Sequence, residues 1–317
     1  MNSLPVIAVV IPCYNEEAAL PITAKQLLTT LQGMVENDLI SSDSYILCCN
    51  DGSVDRTWKV IESLHQSDHR IKGVSLAHNR GHQYALLAGL MTVRGHCDAA
   101  ISIDADLQDD VNAMIDMVKR FREGYEIVYG VRASRASDSW FKRTTARAFY
   151  TLQKKMGLDT VYDHADYRLM SNRALDILSE YGESNLFLRG IIPQIGLSTS
   201  IVTYDRHERV AGESKYPLKK MLSFSIDGIT SFSSRPIRMI LALGLMLLVL
   251  DVAMGIYVSI AYFGHDAIPG WTSLMLSVWF LGSITLIGLG VVGEYIGKIF
   301  VEVKHRPRYY ISEYLID

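Results

Sequence analysis

Apolar and polar positions follow two periods in turn along the first two-thirds of the chain. Continuous apolar runs occur at Val6–Ile11, Tyr45–Cys49, Ile71–Leu76, Ala99–Ile103 and Ile127–Tyr129. The first is rich in β-branched residues and is closed by Pro12. Between the runs, apolar residues recur at helical spacing: Leu20, Ala24, Leu27, Leu28 and Leu31; Trp58, Ile61 and Leu64; Met114, Ile115, Met117, Val118 and Phe121. Continuous apolar strands alternating with amphipathic helices predict an α/β domain with a mainly parallel sheet buried on both faces. Ligands of such sheets bind beyond the carboxyl ends of the strands. Three polar clusters fall there: Tyr14-Asn15-Glu16, Asn50-Asp51-Gly52-Ser53 and Asp104-Ala105-Asp106.

The pattern changes after about residue 234. Ile237–Phe263 and Trp271–Gly297 are almost wholly apolar, apart from Asp251 inside the first. Each is long enough to cross a hydrocarbon core of about 30 Å. The sequence therefore predicts four regions: a catalytic domain over 1–214, an amphipathic connector over 215–234, a transmembrane hairpin over 235–298 and a short tail over 299–317. Arg235 and Arg238 flank the first span, and Lys298, Lys304, Arg306 and Arg308 follow the second. The Gly264–Gly270 loop has neither Lys nor Arg. The positive-inside rule then puts the large domain and both termini in the cytoplasm. In the connector, Lys215, Lys219 and Lys220 precede Met221, Leu222, Phe224, Ile226 and Ile229, a pattern suited to a membrane interface.

Composition narrows the function. The 317 residues carry a formal net charge of −3, which argues against a generally cationic nucleic-acid binder. The mean hydropathy of +0.14 is high for a soluble protein, and the excess lies in the two C-terminal runs. Cys13, Cys48, Cys49 and Cys97 form no C-x-x-C pair, so neither a zinc site nor a disulfide framework is expected. Residues 1–5 lack the charged and apolar regions of a secretory signal.

Asp104 and Asp106 follow a buried run at same-face spacing, and two such carboxylates suit Mg²⁺ or Mn²⁺. A cation there would neutralise the phosphates of a nucleotide leaving group. Gln108 and Asp109 add oxygen ligands nearby. In Asn50–Asp55, Gly52 permits a tight turn and Ser53 or Asp55 can cap the next helix. Asp51 is then left to accept from the N–H of a base. His78 and His82 flank Gly81 before a helix and suit hydrogen bonding near a donor.

The combination is more specific than its parts. Val9–Glu17, Asn50–Thr57, Asn79–Gln83 and Asp104–Asp109 occur in that order at strand ends. Together they resemble the family 2 glycosyltransferases, which have the GT-A nucleotide-sugar fold. His164–Met170, Arg209–Pro217 and Gly293–Lys298, with the two apolar spans, are similar to the bacterial polyisoprenyl-phosphate glycosyltransferases. These include the bactoprenol glucosyltransferases, and dolichol-phosphate mannose synthases are more distant relatives. Asn50 departs from many relatives, which carry Asp there.

The resemblance implies roles. Pro12, Tyr14, Glu16 and Asp51 contact the nucleoside. Asp104, Ala105, Asp106 and Gln108 meet the nucleotide sugar, and Asp104, Asp106 and Gln108 hold Mg²⁺ or Mn²⁺. Arg132, Lys142, Arg209 and Lys215 bind phosphate groups of donor or acceptor. Asp166 is the catalytic candidate, as a base, as an orienting group or as the counter-charge of Arg168. The implied reaction moves a sugar, with UDP-glucose favoured over UDP-N-acetylhexosamines and GDP-mannose, to undecaprenyl or another polyprenyl phosphate. It implies a multi-pass protein of the bacterial cytoplasmic membrane and a homo-oligomer, with a tetramer as precedent. A processive polysaccharide synthase is the alternative enzyme, but none of the four tryptophans is preceded by Arg as Q-x-x-R-W requires. A nucleotide-sugar-binding subunit without turnover is the non-enzymatic alternative.

Overall fold

The computed structural model describes residues 4–132, 164–183, 186–205, scattered positions between 237 and 256, and 270–316. The first unit comprises 1–150, 159–216 and 306–317, and is built on an eight-stranded sheet of order β7-β5-β6-β4-β1-β2-β3-β8. Five strands lie where the apolar runs predict them: β1 (Ile7–Cys13), β2 (Tyr45–Asn50), β3 (Ile71–Leu76), β4 (Ala99–Ser102) and β5 (Ile127–Arg132). β6 (His164–Ser171), β7 (Thr199–Tyr204) and β8 (Ile311–Leu315) have no such run. The pairings β1–β2, β1–β4, β2–β3 and β5–β7 are parallel, and β3–β8, β4–β6 and β5–β6 are antiparallel.

Helices α1 (Leu20–Glu36), α2 (Thr57–Ser67) and α4 (Ala113–Arg122) bury their predicted stripes. Leu20, Ala24, Leu27, Leu31, Ile61, Met114, Met117 and Val118 join Ile7, Val9 and Ile11 of β1 in one core. The opposite face of β1 carries α3 (His82–Val93), where an added Cβ on Gly89 would come within 2.4 Å of Val10 Cγ1. That contact admits only glycine without movement of the helix. α3 has apolar residues all around it, which is why helical spacing does not single it out. Short helices α5 (Asn172–Glu180) and α6 (Leu188–Ile191) follow β6, and Ser171 caps α5 by accepting from the Ala174 N–H at 3.0 Å. All four cysteines are buried and free.

Parallel β1, β2, β3 and β4 deliver their carboxyl ends to one edge. β6 runs the other way, so its first half meets that same edge. Ser102 pairs with Arg168. Two positions further along this antiparallel register, Asp104 stands across from Asp166.

In the second unit, helix α7 spans Trp271–Val303, and 33 residues at about 1.5 Å each extend about 50 Å. Its Phe280–Val303 portion is, among the described residues, the one helix long and apolar enough to cross a membrane. Leu274, Val278, Phe280, Leu286, Ile287, Leu289 and Ile296 are exposed on it. The predicted span 237–263 lies largely outside the described residues, as does the connector 215–234. The tail gives a different result from the sequence reading: Ile311–Leu315 is an edge strand of the catalytic sheet.

Candidate active site

Two loops at the strand ends cap each other. Asn15 N–H donates to Ser53 Oγ at 3.0 Å, Glu16 N–H to Thr57 Oγ1 at 2.8 Å, and Glu17 N–H to Asp55 Oδ2 at 3.3 Å. In return, the Val54 N–H donates to Asn15 Oδ1 and the Arg56 N–H to Glu17 Oε2, both at 3.0 Å. Asp55 also accepts from the Thr57 N–H at 2.9 Å, although the N-cap position of α2 is Arg56 rather than Ser53 or Asp55. Gly52 has φ +59°, and a Cβ there would lie 2.6 Å from the backbone of His78 and Asn79. Only glycine lets the loop after β2 approach the loop after β3 so closely.

Asp51 locks those loops together. It is buried; Oδ1 accepts from the Arg80 N–H at 2.7 Å and Oδ2 from the Gly81 N–H at 2.9 Å. Burial raises its pKa, and the two backbone donors, with His82 and His78, oppose the rise without cancelling it. A cavity beside it is lined by Pro12, Cys13, Tyr14, Asp51, Asn79 and Gly81, with His82 and Ala85. Tyr14 lines this cavity and is 45% exposed.

The Asp104–Asp110 loop is tied down from three sides. The buried Thr23 Oγ1 donates to the Ala105 carbonyl at 2.6 Å. Tyr167 Oη donates to the Asp110 carbonyl at 3.0 Å, and Tyr204 Oη to Asp109 Oδ1 at 2.6 Å. Leu107 takes a left-handed φ of +54°, and the Gln108 N–H donates to Asp106 Oδ1 at 3.2 Å. Gln108 itself is buried.

Asp104, His82, Asp166, Arg168 and Arg189 form one charged cluster. His82, the first residue of α3, places Nε2 3.6 Å from both Asp104 Oδ1 and Asp166 Oδ2. Asp166 Oδ1 receives Arg168 Nη2, and Arg189 grips both carboxylate oxygens, with Nε at 3.2 Å and Nη2 at 2.9 Å. Burial alone would raise the Asp166 pKa, but His82, Arg189 and Arg168 hold it well below the usual carboxylate range. Burial pushes Asp104 the other way, up to about 6; Asp166, Asp109 and Asp106 add to the rise while His82 opposes it. Solvent reaches 42% of the Asp104 side chain, so this is the floor of an open cleft rather than a sealed interior. Burial lowers the His82 pKa, and Asp166 and Asp104 outweigh it, leaving the imidazole raised. Arg168 is 1% exposed, with Nε and Nη1 meeting no hydrogen-bond partner among the described residues.

Among the described residues, no three His, Cys, Asp or Glu side chains converge to hold a metal unaided. The site nevertheless suits a divalent cation in another way. Asp104 faces Asp166 across the His82 imidazole in a cleft that solvent reaches, with Asp106 two residues on, and a cation shared with a ligand's phosphates would relieve that concentration of carboxylates.

The structure thus brings Pro12, Tyr14 and Asp51 to one cavity and Asp104 to Asp166. Ala105 contributes its carbonyl to the anchoring of the loop. The Glu16 backbone is committed to the capping of the two loops. Arg132, at the end of β5, places Nη2 3.4 Å from Asp109 Oδ1, so its charge is already balanced there. Lys142, Arg209 and Lys215 lie outside the described residues. The sequence reading gives no role to Arg189 and misses the bridging position of His82. The available signal for Arg189 is a lone cation inside the apolar stretch Leu186–Ile192.

Residues 8–182 match the model of glycosyl transferase family 2. The chain belongs to that family and is a glycosyltransferase with a GT-A-like α/β fold. It is 51% identical over 311 residues to the uncharacterized glycosyltransferase YkoT of Bacillus subtilis (strain 168), covering 98% of this chain and 92% of that one. It is 38% identical over 309 residues to the bactoprenol glucosyl transferase of Shigella phage SfV, covering 96% and 98%. Among solved structures it is similar to mannosyl-3-phosphoglycerate synthase from Rubrobacter xylanophilus, with TM-score 0.49, 15% identity and 74% of each chain covered.

Proposed function

We propose that the protein transfers a sugar from a nucleotide sugar, UDP-glucose first, to a polyprenyl phosphate at the bacterial cytoplasmic membrane. The observation that carries this reading is the facing pair Asp104 and Asp166, bridged by His82 and set beside the Tyr14–Asp51 cavity. Near full-length relatedness to a bactoprenol glucosyl transferase supports the acceptor. The long apolar α7 supports the anchor.

Tyr14 stacks on the base, Pro12 walls the cavity, and Asp51 fixes the loop that closes it. Asp104 and Asp106 would hold Mg²⁺ or Mn²⁺, which would supply neutralisation of charge on the departing diphosphate. The acceptor oxygen attacks the anomeric carbon as the bond to the nucleoside diphosphate breaks, inverting that centre. A phosphate monoester has its second pKa near about 6, so at neutral pH the attacking oxygen is already mostly deprotonated. Asp166, held ionised by two guanidinium groups, is a poor base. Its work is to fix Arg189 and His82 at the acceptor side of the anomeric carbon, with Arg189 positioned to meet phosphate oxygens. Arg209, Lys215 and Lys142 add phosphate contacts, while Arg132 stays paired with Asp109. The chain spans the membrane with its catalytic domain in the cytoplasm, where the acceptor's phosphate head emerges.

The test is a transfer assay in membranes containing undecaprenyl phosphate and Mn²⁺, with a panel of radiolabelled nucleotide sugars. Label entering the lipid fraction from UDP-glucose supports the full reading. Label from another donor replaces the sugar, and none from any donor rejects the acceptor.

A further inference from the structure

Arg80 stands in the chain between Asn79 and Gly81, which line the donor cavity, yet its guanidinium is engaged elsewhere. Nε donates to the Arg308 carbonyl at 2.9 Å and Nη2 to the Pro307 carbonyl at 3.0 Å. Its own N–H holds Asp51 Oδ1 at 2.7 Å. One residue therefore joins the segment that follows α7 in the chain to the carboxylate that closes the nucleoside loop.

The tail is built to stay in place. β8 pairs with β3 from Gly73↔Leu315 to Leu76↔Ile311, and the Ala77 N–H extends the ladder to the Tyr310 carbonyl at 3.0 Å. Ser312 Oγ donates to the Ser75 carbonyl at 3.1 Å, and Trp58 Nε1 to Glu313 Oε2 at 3.1 Å. Arg308 Nη2 donates to the Tyr181 carbonyl. Ala77 opens the loop that continues through His78, Asn79, Arg80 and Gly81 to His82, so tail pairing and the donor wall are continuous in the chain.

We propose that Arg80 is a positioning residue for the donor nucleotide, and that residues 307–315 form part of the donor site's framework. Resting on the glycosyltransferase reading, this assigns Arg80 a function through Asp51 and the tail rather than through ligand contact. A guanidinium suits the task because its fork reaches two successive carbonyls at once.

The test uses the full-length chain in detergent with Mn²⁺, and calorimetric titration with UDP, GDP and CDP. Arg80→Ala is expected to raise the dissociation constant of the preferred nucleotide about tenfold, the scale of one lost charged hydrogen bond. Donor KM rises in step, while kcat at saturating donor stays within about twofold. Arg80→Lys, a single point donor, falls between. Glu313→Ala loosens the tail without touching the cavity and raises the constant about two- to threefold. The double variant does not exceed Arg80→Ala alone, because both act through one framework. If Arg80→Ala does not fold, Arg80→Lys and Glu313→Ala carry the test. Unchanged affinity in Arg80→Ala overturns the proposal, and a loss in Arg80→Ala with unchanged affinity in Glu313→Ala overturns the tail's part in it. A wild-type chain that binds none of the three nucleotides contradicts the glycosyltransferase site itself.

Discussion

Asp166 carries the sharpest residue-scale question, whether it takes a proton or holds a geometry. Its carboxylate, against the pull of burial, is held well below the usual carboxylate range by His82, Arg189 and Arg168, which makes it a weak base. A phosphate acceptor gains its second charge as pH rises through about 6. If proton removal were the whole role, Asp166→Asn would be inactive at about pH 6 and recover by about pH 8. We predict no recovery in initial-rate assays, because the variant loses its grip on Arg189 at both pH values. The two arginines also separate by cost. Arg168→Ala leaves a buried carboxylate short of a partner, and denaturant unfolding should show a loss of about 3–5 kcal/mol. Arg189 is 45% exposed, and Arg189→Ala should lower transfer by about 10–100-fold while changing stability by less than about 1 kcal/mol.

At the scale of elements, the site is made where strand ends meet. Gly52 has a positive φ, and a Cβ there would stand 2.6 Å from the backbone of the neighbouring loop. Gly52→Ala should cost at least about 1–3 kcal/mol in unfolding experiments and weaken nucleotide binding together with it. β1 to β5 are legible in sequence because both faces of each are buried, which makes the runs continuously apolar. So are Tyr14, Asp51 and Asp104, which stand just past those runs. β6 is not, because its His, Asp and Arg break the apolar run, and its charges are balanced by the Asp166–Arg168 pair within the strand together with Arg189 and His82 from distant elements. β7 and β8 are edge strands with exposed positions, and nothing in Ile311–Leu315 announces a partner some 240 residues earlier. Arg189 escapes notice because α6 is only four residues long and has no period to read.

At the scale of the whole molecule, a nucleotide-binding sheet and a 33-residue apolar helix share one chain, and the last strand of the sheet comes after the helix. The proposed bilayer-confined acceptor would account for that architecture, since an enzyme anchored beside it meets it at a raised effective concentration. We predict that the expressed protein stays in the membrane pellet after an alkaline carbonate wash, read by immunoblot, as a spanning helix requires. The most direct test of the central claim is transfer to undecaprenyl phosphate by wild type and Asp104→Asn, using the donor identified from the panel and Mn²⁺. The account predicts lipid-linked sugar from wild type and a loss of at least about 100-fold in the variant. Equal transfer by both, or no lipid-linked product from wild type, would contradict it.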